Sequence, residues 1–148
     1  MALTIEARLR HLEDLEEIRS LLIQYGRSLD DRDFGTYSRL FAEEGEWHGG
    51  LGSAKSPAGI REMLEKALGG VPSEKYRGAF HLMSNMVINI DRDTATAWSR
   101  WTWFVPDAGG GAPTAARAGH YDDSLIRESG HWRFLRRQAI TELRASTD

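Results

Sequence analysis

Four side chains of this 148-residue chain have the chemical types that proton transfer at carbon requires. Tyr25 supplies a phenol, Asp30 a carboxylate, His81 an imidazole and Arg137 a guanidinium. An imidazole oriented by a carboxylate can remove a proton, and a phenol or a guanidinium can stabilise the negative charge that develops. Taken together, these four residues would be sufficient for acid–base catalysis without a bound cofactor.

Each of these residues also has an ordinary structural interpretation. Tyr25 lies on the apolar stripe of a predicted helix, where a core tyrosine with a satisfied hydroxyl is common. Asp30 comes at the end of that helix, where the dipole disfavours a carboxylate by a few tenths to about 1 kcal/mol. His81 begins a strand and could lie on a half-exposed face. Arg137 could reach solvent or a buried carboxylate.

The elements that position these residues can be predicted from hydrophobic periodicity. Apolar side chains recur every three or four residues from Leu12 to Leu29, which predicts an amphipathic helix. A break at residues 30–33 precedes a short second helix that we expect to end near Gly45, with a strand at Glu46 to Gly49. Ser56 and the proline after it predict a third helix, which extends to a pair of glycines at 69–70.

Strand patterns dominate the chain from Phe80 onward. Four segments rich in β-branched and aromatic residues, at 79–90, 94–105, 114–128 and 131–141, are separated by Asp, Gly, Pro and Ser turn signals. Helices therefore come first and an antiparallel meander follows. This order predicts an α+β fold with helices on one face of a curved sheet, in a single domain that covers residues 1–148.

Strict alternation along these strands predicts which side chains share a face. It places His81 with Met83, Asn85 and Val87, and it places Leu82, Met86, Ile88 and Ile90 on the opposite face. In the last strand it places Arg137 with Leu135 and Ala139, opposite Trp132 and Phe134.

Composition argues against several classes of partner. The 19 basic and 22 acidic residues are interspersed and give a net charge of −3, so no footprint for nucleic acid or an anionic membrane is present. The chain has no cysteine, no apolar run long enough to span a membrane and a charged start, which together predict a cytoplasmic protein. His48, His120 and His131 lack metal-ligand spacing, so we expect no metal site.

Several segments resemble the SnoaL-like proteins of the nuclear-transport-factor-two-like superfamily, in particular the scytalone dehydratase-like branch. The resemblance rests on IQYGRSLDDRDF, FHLMSN, NIDRDTATAWS, GHYDDSLIR and GHWRFLRR, and it covers roughly Ile18 to Ile140. It implies a cone-shaped α+β barrel with the N-terminal helices packed in the concave face of a mainly antiparallel sheet. The superfamily includes dehydratases, a dehydrochlorinase, isomerases, cyclases and binding proteins, so the resemblance specifies the fold better than the substrate.

The resemblance also implies roles for single residues. His81 matches the catalytic histidine of scytalone dehydratase and of hexachlorocyclohexane dehydrochlorinase, and Asp30 matches its aspartate partner. Tyr25 lies where bile-acid dehydratases have a tyrosine and the dehydrochlorinase has a lysine. Arg137 aligns with an active-site arginine of the dehydrochlorinase, and Arg136 is one register step away. The second catalytic histidine of scytalone dehydratase has no counterpart in this chain.

The sequence thus predicts a cofactor-free, dehydratase-like lyase that acts on a small apolar cyclic substrate. His81 would remove a proton, Asp30 would orient it, Tyr25 would hydrogen-bond the substrate oxygen, and Arg137 would stabilise negative charge. An isomerase with the same base is the first alternative, and a non-catalytic small-ligand carrier or an accessory subunit is the second. The surplus of tryptophan in residues 94–105, together with the way sheets of this family pair, predicts a homodimer or homotrimer.

Overall fold

The first half of the chain forms three helices, and most of the sheet comes from the second half. The structure is a computed structural model that describes residues 2–146. Its helices are α1 (Ile5–Asp30), α2 (Phe34–Arg39) and α3 (Ser56–Leu68), followed by a 3-10 turn at Ser73–Tyr76. The strands are β1 (Phe41–Gly49), β2 (Gly52–Lys55), β3 (Phe80–Asp91), β4 (Thr94–Val105), β5 (Thr114–Glu128) and β6 (His131–Arg144).

The six strands form one mixed sheet in the order β2-β1-β6-β5-β4-β3. Neighbouring strands are antiparallel except for β1 and β6, which run parallel. The helices cover one face, with α1 against β3 and β6 and α3 against β1. The predicted cone-shaped α+β fold is therefore confirmed, although β2 and β3 remain separate edges and the described sheet does not close into a barrel.

The apolar stripe predicted for α1 forms one wall of the core. Ile18, Leu22 and Tyr25 are buried against the sheet, where Trp132 and Phe134 of β6 are fully buried. The helix begins earlier than the periodicity indicated, because the side chain of Thr4 caps it by accepting a hydrogen bond from Ala7 N. Its first turns expose their apolar residues, so no burial stripe marked their start.

Two predicted boundaries near the second helix are wrong. The helix ends at Arg39 and β1 already begins at Phe41, because β1 pairs in parallel with β6 and Phe134 N donates to Leu40 O. The segment between β1 and α3, for which the sequence predicted no element, contains β2, which pairs with the end of β1.

A β-bulge in β3 changes which side chains face the core. The register with β4 shifts between Ser84 and Val87, and Asn85 lies in the left-handed region with φ of 52°. The predicted faces of this strand are therefore wrong beyond Ser84. Met83 shares the concave face with three residues that strict alternation placed opposite it, namely Met86, Ile88 and Ile90, whereas Leu82 and Val87 are exposed on the other side.

A second irregularity redirects β6. Its register with β5 shifts so that Leu125 pairs with Phe134 and Ser124 pairs with Arg136, which leaves Leu135 as an extra residue. As a result Arg137 is buried on the same face as Phe134, and the predicted face for this arginine is wrong.

None of the helices within residues 2–146 is both long enough and apolar enough to cross a membrane.

Candidate active site

A cavity of about 990 Å³ lies between α1, the segment that follows α3 and the concave face of β3 and β4. Three of the four predicted site residues line it, namely Tyr25, Asp30 and His81. Much of the remaining lining is apolar, and its aromatic members include Tyr37, Trp47, Trp101 and Trp103. This combination resembles a small-molecule site, in which a few polar groups converge in apolar surroundings.

Asp30 makes two hydrogen bonds to His81. Its Oδ1 lies 2.6 Å from His81 Nδ1, and its Oδ2 accepts the main-chain N–H of the same residue at 2.8 Å. Both side chains are 17% exposed, so the pair lies at the cavity wall and not in bulk solvent. A carboxylate can only accept, so the Nδ1 position carries the hydrogen and a neutral ring presents the lone pair of Nε2.

The close approach of α1 to β3 depends on Gly26, one helical turn before Asp30. A Cβ atom at residue 26 would lie 3.2 Å from Met83 Cγ and 3.7 Å from His81 Cβ. A glycine therefore lets the helix and the strand approach closely. Because β3 is an edge strand, one side of its main chain has no strand partner, and Asp30 can reach the N–H of His81 there.

The end of α1 is fixed by a hydrogen-bonded C-terminal cap. Arg32 has φ of 56°, its N–H donates to Leu29 O, and Asp33 N donates to Ser28 O. The guanidinium of Arg32 then donates to Leu68 O at 3.0 Å and to Val71 O at 2.6 Å, at the end of α3. These bonds fix the last turn of α1, which carries Asp30.

The imidazole of His81 is held between aromatic rings. Its centroid lies 6.1 Å from that of Trp103 in a stacked arrangement and 6.1 Å from that of Trp101 in a tilted one. Within residues 2–146, no partner lies within hydrogen-bonding distance of His81 Nε2. Since His81 lines the cavity, this nitrogen is the one available to a ligand.

Tyr25 is buried, and its hydroxyl accepts a hydrogen bond from Trp47 Nε1 at 2.9 Å. An indole N–H can only donate, so the proton of the Tyr25 hydroxyl remains available for another acceptor. Its ring contacts those of Tyr37 and Tyr121, at centroid distances of 4.6 and 5.3 Å. Burial raises the pKa of both neighbours well above the ordinary value, and the adjacent Tyr25 raises it further, so they stay protonated at neutral pH.

Trp47 is a site residue that our sequence analysis missed. It lies within the segment predicted as a strand, and it was a single tryptophan among polar and glycine residues. Such an isolated aromatic residue could have indicated that one face of this strand contacts the core.

Arg137 does not line the cavity. It is 0% exposed and makes a two-pronged ion pair with Asp123, with both nitrogen–oxygen distances at 2.7 Å. Its Cζ lies 4.0 Å from the Tyr25 ring centroid and 3.9 Å from that of Tyr121. Burial alone would lower the pKa of Arg137, but the charge and hydrogen bonds of Asp123 outweigh it and raise that pKa.

The bulge in β6 turns the side chain of Arg137 into the core, so this arginine does not reach the cavity in which it was expected to stabilise negative charge. Arg136, the other candidate, is exposed on the opposite face and donates to Gln138.

The remaining histidines lie apart from the cavity. His48 contacts Glu46 and Ser53 on the β1–β2 hairpin, and His120 stacks on Trp98 on the outer face of the sheet. Across residues 2–146, no three His, Asp or Glu side chains are grouped so that they could hold a metal ion. Trp98 faces outward from β4, whereas Trp101 and Trp103 line the cavity.

The chain is similar to known proteins along most of its length. An uncharacterised protein of Mycobacterium tuberculosis is 30% identical over 132 residues, which cover 85% of this chain and 84% of that protein. An NTF2-like protein with a cystatin-like fold from Novosphingobium aromaticivorans is 31% identical, with a TM-score of 0.78 over 90% of this chain and 85% of that one.

Two further solved structures share the fold. ActVI-ORFA from Streptomyces coelicolor is 26% identical, with a TM-score of 0.71 over 86% of this chain and 97% of its own. A candidate scytalone dehydratase from Novosphingobium aromaticivorans is 22% identical, with a TM-score of 0.71 over 90% and 87% of the two chains. Residues 10–138 match the SnoaL-like domain, and the chain therefore belongs to the SnoaL-like family of NTF2-like proteins.

Proposed function

We propose that this protein is a cofactor-free lyase that removes water from a small cyclic β-hydroxy ketone. The observation that carries the proposal is the Asp30–His81 hydrogen bond of 2.6 Å at the wall of an aromatic cavity. Asp30 holds the ring so that Nε2 is the basic nitrogen, and it stabilises the imidazolium that forms.

The elimination proceeds in two steps. His81 Nε2 takes a proton from the carbon next to the carbonyl, and the electron pair of that C–H bond moves to the carbonyl oxygen. Tyr25 donates its hydroxyl proton in a hydrogen bond to the resulting enolate. The enolate then collapses, the bond to the hydroxyl group breaks, and the departing oxygen takes the proton from the imidazolium and leaves as water.

Arg137 has an indirect part in this proposal. Its guanidinium packs against the rings of Tyr25 and Tyr121, and its charge is balanced by Asp123. It therefore fixes the ring that carries the Tyr25 hydroxyl and does not itself contact the substrate. Trp47 acts in the same way through its hydrogen bond to that hydroxyl.

An isomerase would use the same base and would return the proton to a different carbon atom. The analysis of products separates the two reactions, because only the lyase releases water. A non-catalytic carrier would need the cavity alone, and the doubly hydrogen-bonded Asp30 supports an enzyme over a carrier.

The test uses 3-hydroxy-1-tetralone, whose loss of water yields the fluorescent product 1-naphthol. We expect wild-type protein to accelerate this reaction, and we expect His81→Ala and Asp30→Ala to abolish the acceleration while circular dichroism shows a retained fold. His131→Ala is the matched control, because His131 is 66% exposed and lies outside the cavity. Retention of most of the activity in His81→Ala would contradict the proposal.

A further inference from the structure

More positively than negatively charged side chains line the cavity. The lining contains four arginines, at 27, 32, 77 and 117, but only two aspartates, at 30 and 31. The cavity therefore carries an excess of positive charge, although the chain as a whole has a net charge of −3. Such a local reversal of sign raises the concentration of anions at the site.

Both aspartates already have partners. Asp30 uses its two oxygens on His81, and Asp31 lies 3.5 Å from Arg27 in an exposed pair. Arg32 donates from one guanidinium nitrogen to two main-chain carbonyl groups, and these neutral acceptors leave its charge without a counter-ion among the described residues. The lining thus offers no carboxylate to neutralise the two remaining arginines.

Arg77 and Arg117 form no ion pair or side-chain hydrogen bond with any described residue. Both are exposed at the mouth of the cavity. Exposed arginines without partners are common on protein surfaces, so this observation needs a link to the proposed base before it points to a ligand.

Trp103 supplies that link. The guanidinium of Arg117 lies 5.9 Å from the centroid of the Trp103 ring, and the imidazole of His81 stacks on the same ring at 6.1 Å. Tyr76 packs edge-on against it at 5.2 Å. The distance from the Arg117 guanidinium to the His81 ring therefore cannot exceed the sum of their distances from the Trp103 ring. A bicyclic molecule can span this distance.

We propose that the substrate carries an oxyanion, either a carboxylate or a phosphate, which Arg117 and Arg77 bind at the mouth while its ring enters the aromatic interior. This inference rests on the proposed function, because it concerns the same cavity, and it specifies the substrate class as cyclic hydroxy ketones that also carry an acidic group. A guanidinium binds such groups through two parallel hydrogen bonds. The anion would also orient the ring relative to His81.

Isothermal titration calorimetry tests this inference with three probes of one shape, namely 2-naphthoate, 2-naphthyl phosphate and the neutral 2-naphthamide. We expect at least one anion to bind roughly fivefold tighter than the amide, since one or two exposed charge contacts contribute about 1 kcal/mol. The anion that binds with the higher affinity shows whether the site prefers a carboxylate or a phosphate. The advantage should shrink in 1 M salt, where charges are screened within about 3 Å.

Arg117→Gln combined with Arg77→Gln should remove the preference for the anion, whereas Arg10→Gln, an exposed arginine of α1 outside the cavity, should retain it. Equal affinity for the anions and the amide, or binding of none of the three, would overturn the inference. The titration requires no turnover, so this failure is distinct from failure of the lyase proposal, which the activity of His81→Ala decides.

Discussion

Asp30 holds both the main chain and the imidazole of His81, a residue 51 positions away in the chain. One carboxylate therefore fixes the start of β3 and the orientation of the ring together. Each Asp30 oxygen accepts from its own donor on His81. Oδ2 holds the main chain, and Oδ1 orients the ring.

Asp30→Asn should reverse the tautomer of His81. The main-chain N–H of His81 can only donate, so the carbonyl oxygen of asparagine must face it, and the NH2 group then faces Nδ1. Nδ1 would become an acceptor, and Nε2 would carry the hydrogen. ¹⁵N NMR of histidine-labelled protein should show Nδ1–H in the wild type and Nε2–H in the variant, with activity lost. An unchanged tautomer would show that Asp30 does not determine it.

Trp47→Phe and Tyr25→Phe should both weaken the hydrogen bond by which the Tyr25 hydroxyl stabilises the enolate. The first change removes the donor to the Tyr25 hydroxyl and the second removes the hydroxyl itself, and each keeps an aromatic ring in place. We expect each to cost about 1 kcal/mol of stability and the double variant to cost less than the sum, because the two share one hydrogen bond. A double-mutant cycle, measured by turnover and by urea unfolding, checks this, and full additivity would argue against coupling.

Arg137→Met should make the protein unfold more readily, because this arginine is buried in an ion pair away from the cavity. The substitution leaves Asp123 as a buried carboxylate without its partner, which costs about 3–5 kcal/mol. Adding Asp123→Leu should recover much of this loss, because a buried ion pair can be replaced by apolar residues at little cost. Urea unfolding followed by tryptophan fluorescence measures both variants. A double variant as unstable as the single one would contradict the assigned structural role.

Acid should weaken the β1–β2 hairpin through Glu46. Hydrogen bonds from Lys55 and His48 lower the pKa of Glu46 from 4.5 to about 2. Because the folded-state pKa is depressed, the stabilisation is complete above pH 4.5 and is lost as the pH falls towards 2. The difference in unfolding free energy between wild type and Glu46→Gln should therefore vanish across this interval. A difference that stays constant down to pH 2 would contradict the assigned pairing.

The sequence predicted most of the helices and the concave sheet, because hydrophobic periodicity is set locally by burial. It did not predict the bulges at Asn85 and Leu135, because alternation was applied without interruption. Asn85 offered a usable signal, since asparagine tolerates the left-handed conformation that a bulge needs. The bulge at Leu135 carries no such marker, so the face of Arg137 could not be predicted, although a buried carboxylate, here Asp123, was one of the two partners expected for this arginine.

The candidate site likewise contains residues that the sequence predicted and one that it did not. The pairing of Asp30 with His81 followed from resemblance to a family, whereas the contact of Trp47 with Tyr25 depends on how β1 lies against α1 and is encoded by no local pattern.

Self-association through the outer face of the sheet stays a prediction. Light scattering after gel filtration at micromolar concentration tests it, and a monomer would contradict it.

The bulge in β3 has a consequence for the behaviour of the protein in concentrated solution. β3 is an edge strand, and a long regular edge is a template on which a strand of another molecule can assemble. The bulge divides this edge into two short runs with different registers, at 80–84 and 87–91. An incoming strand can pair with only one run at a time, so the irregularity that aligns the cavity wall also protects the edge against aggregation.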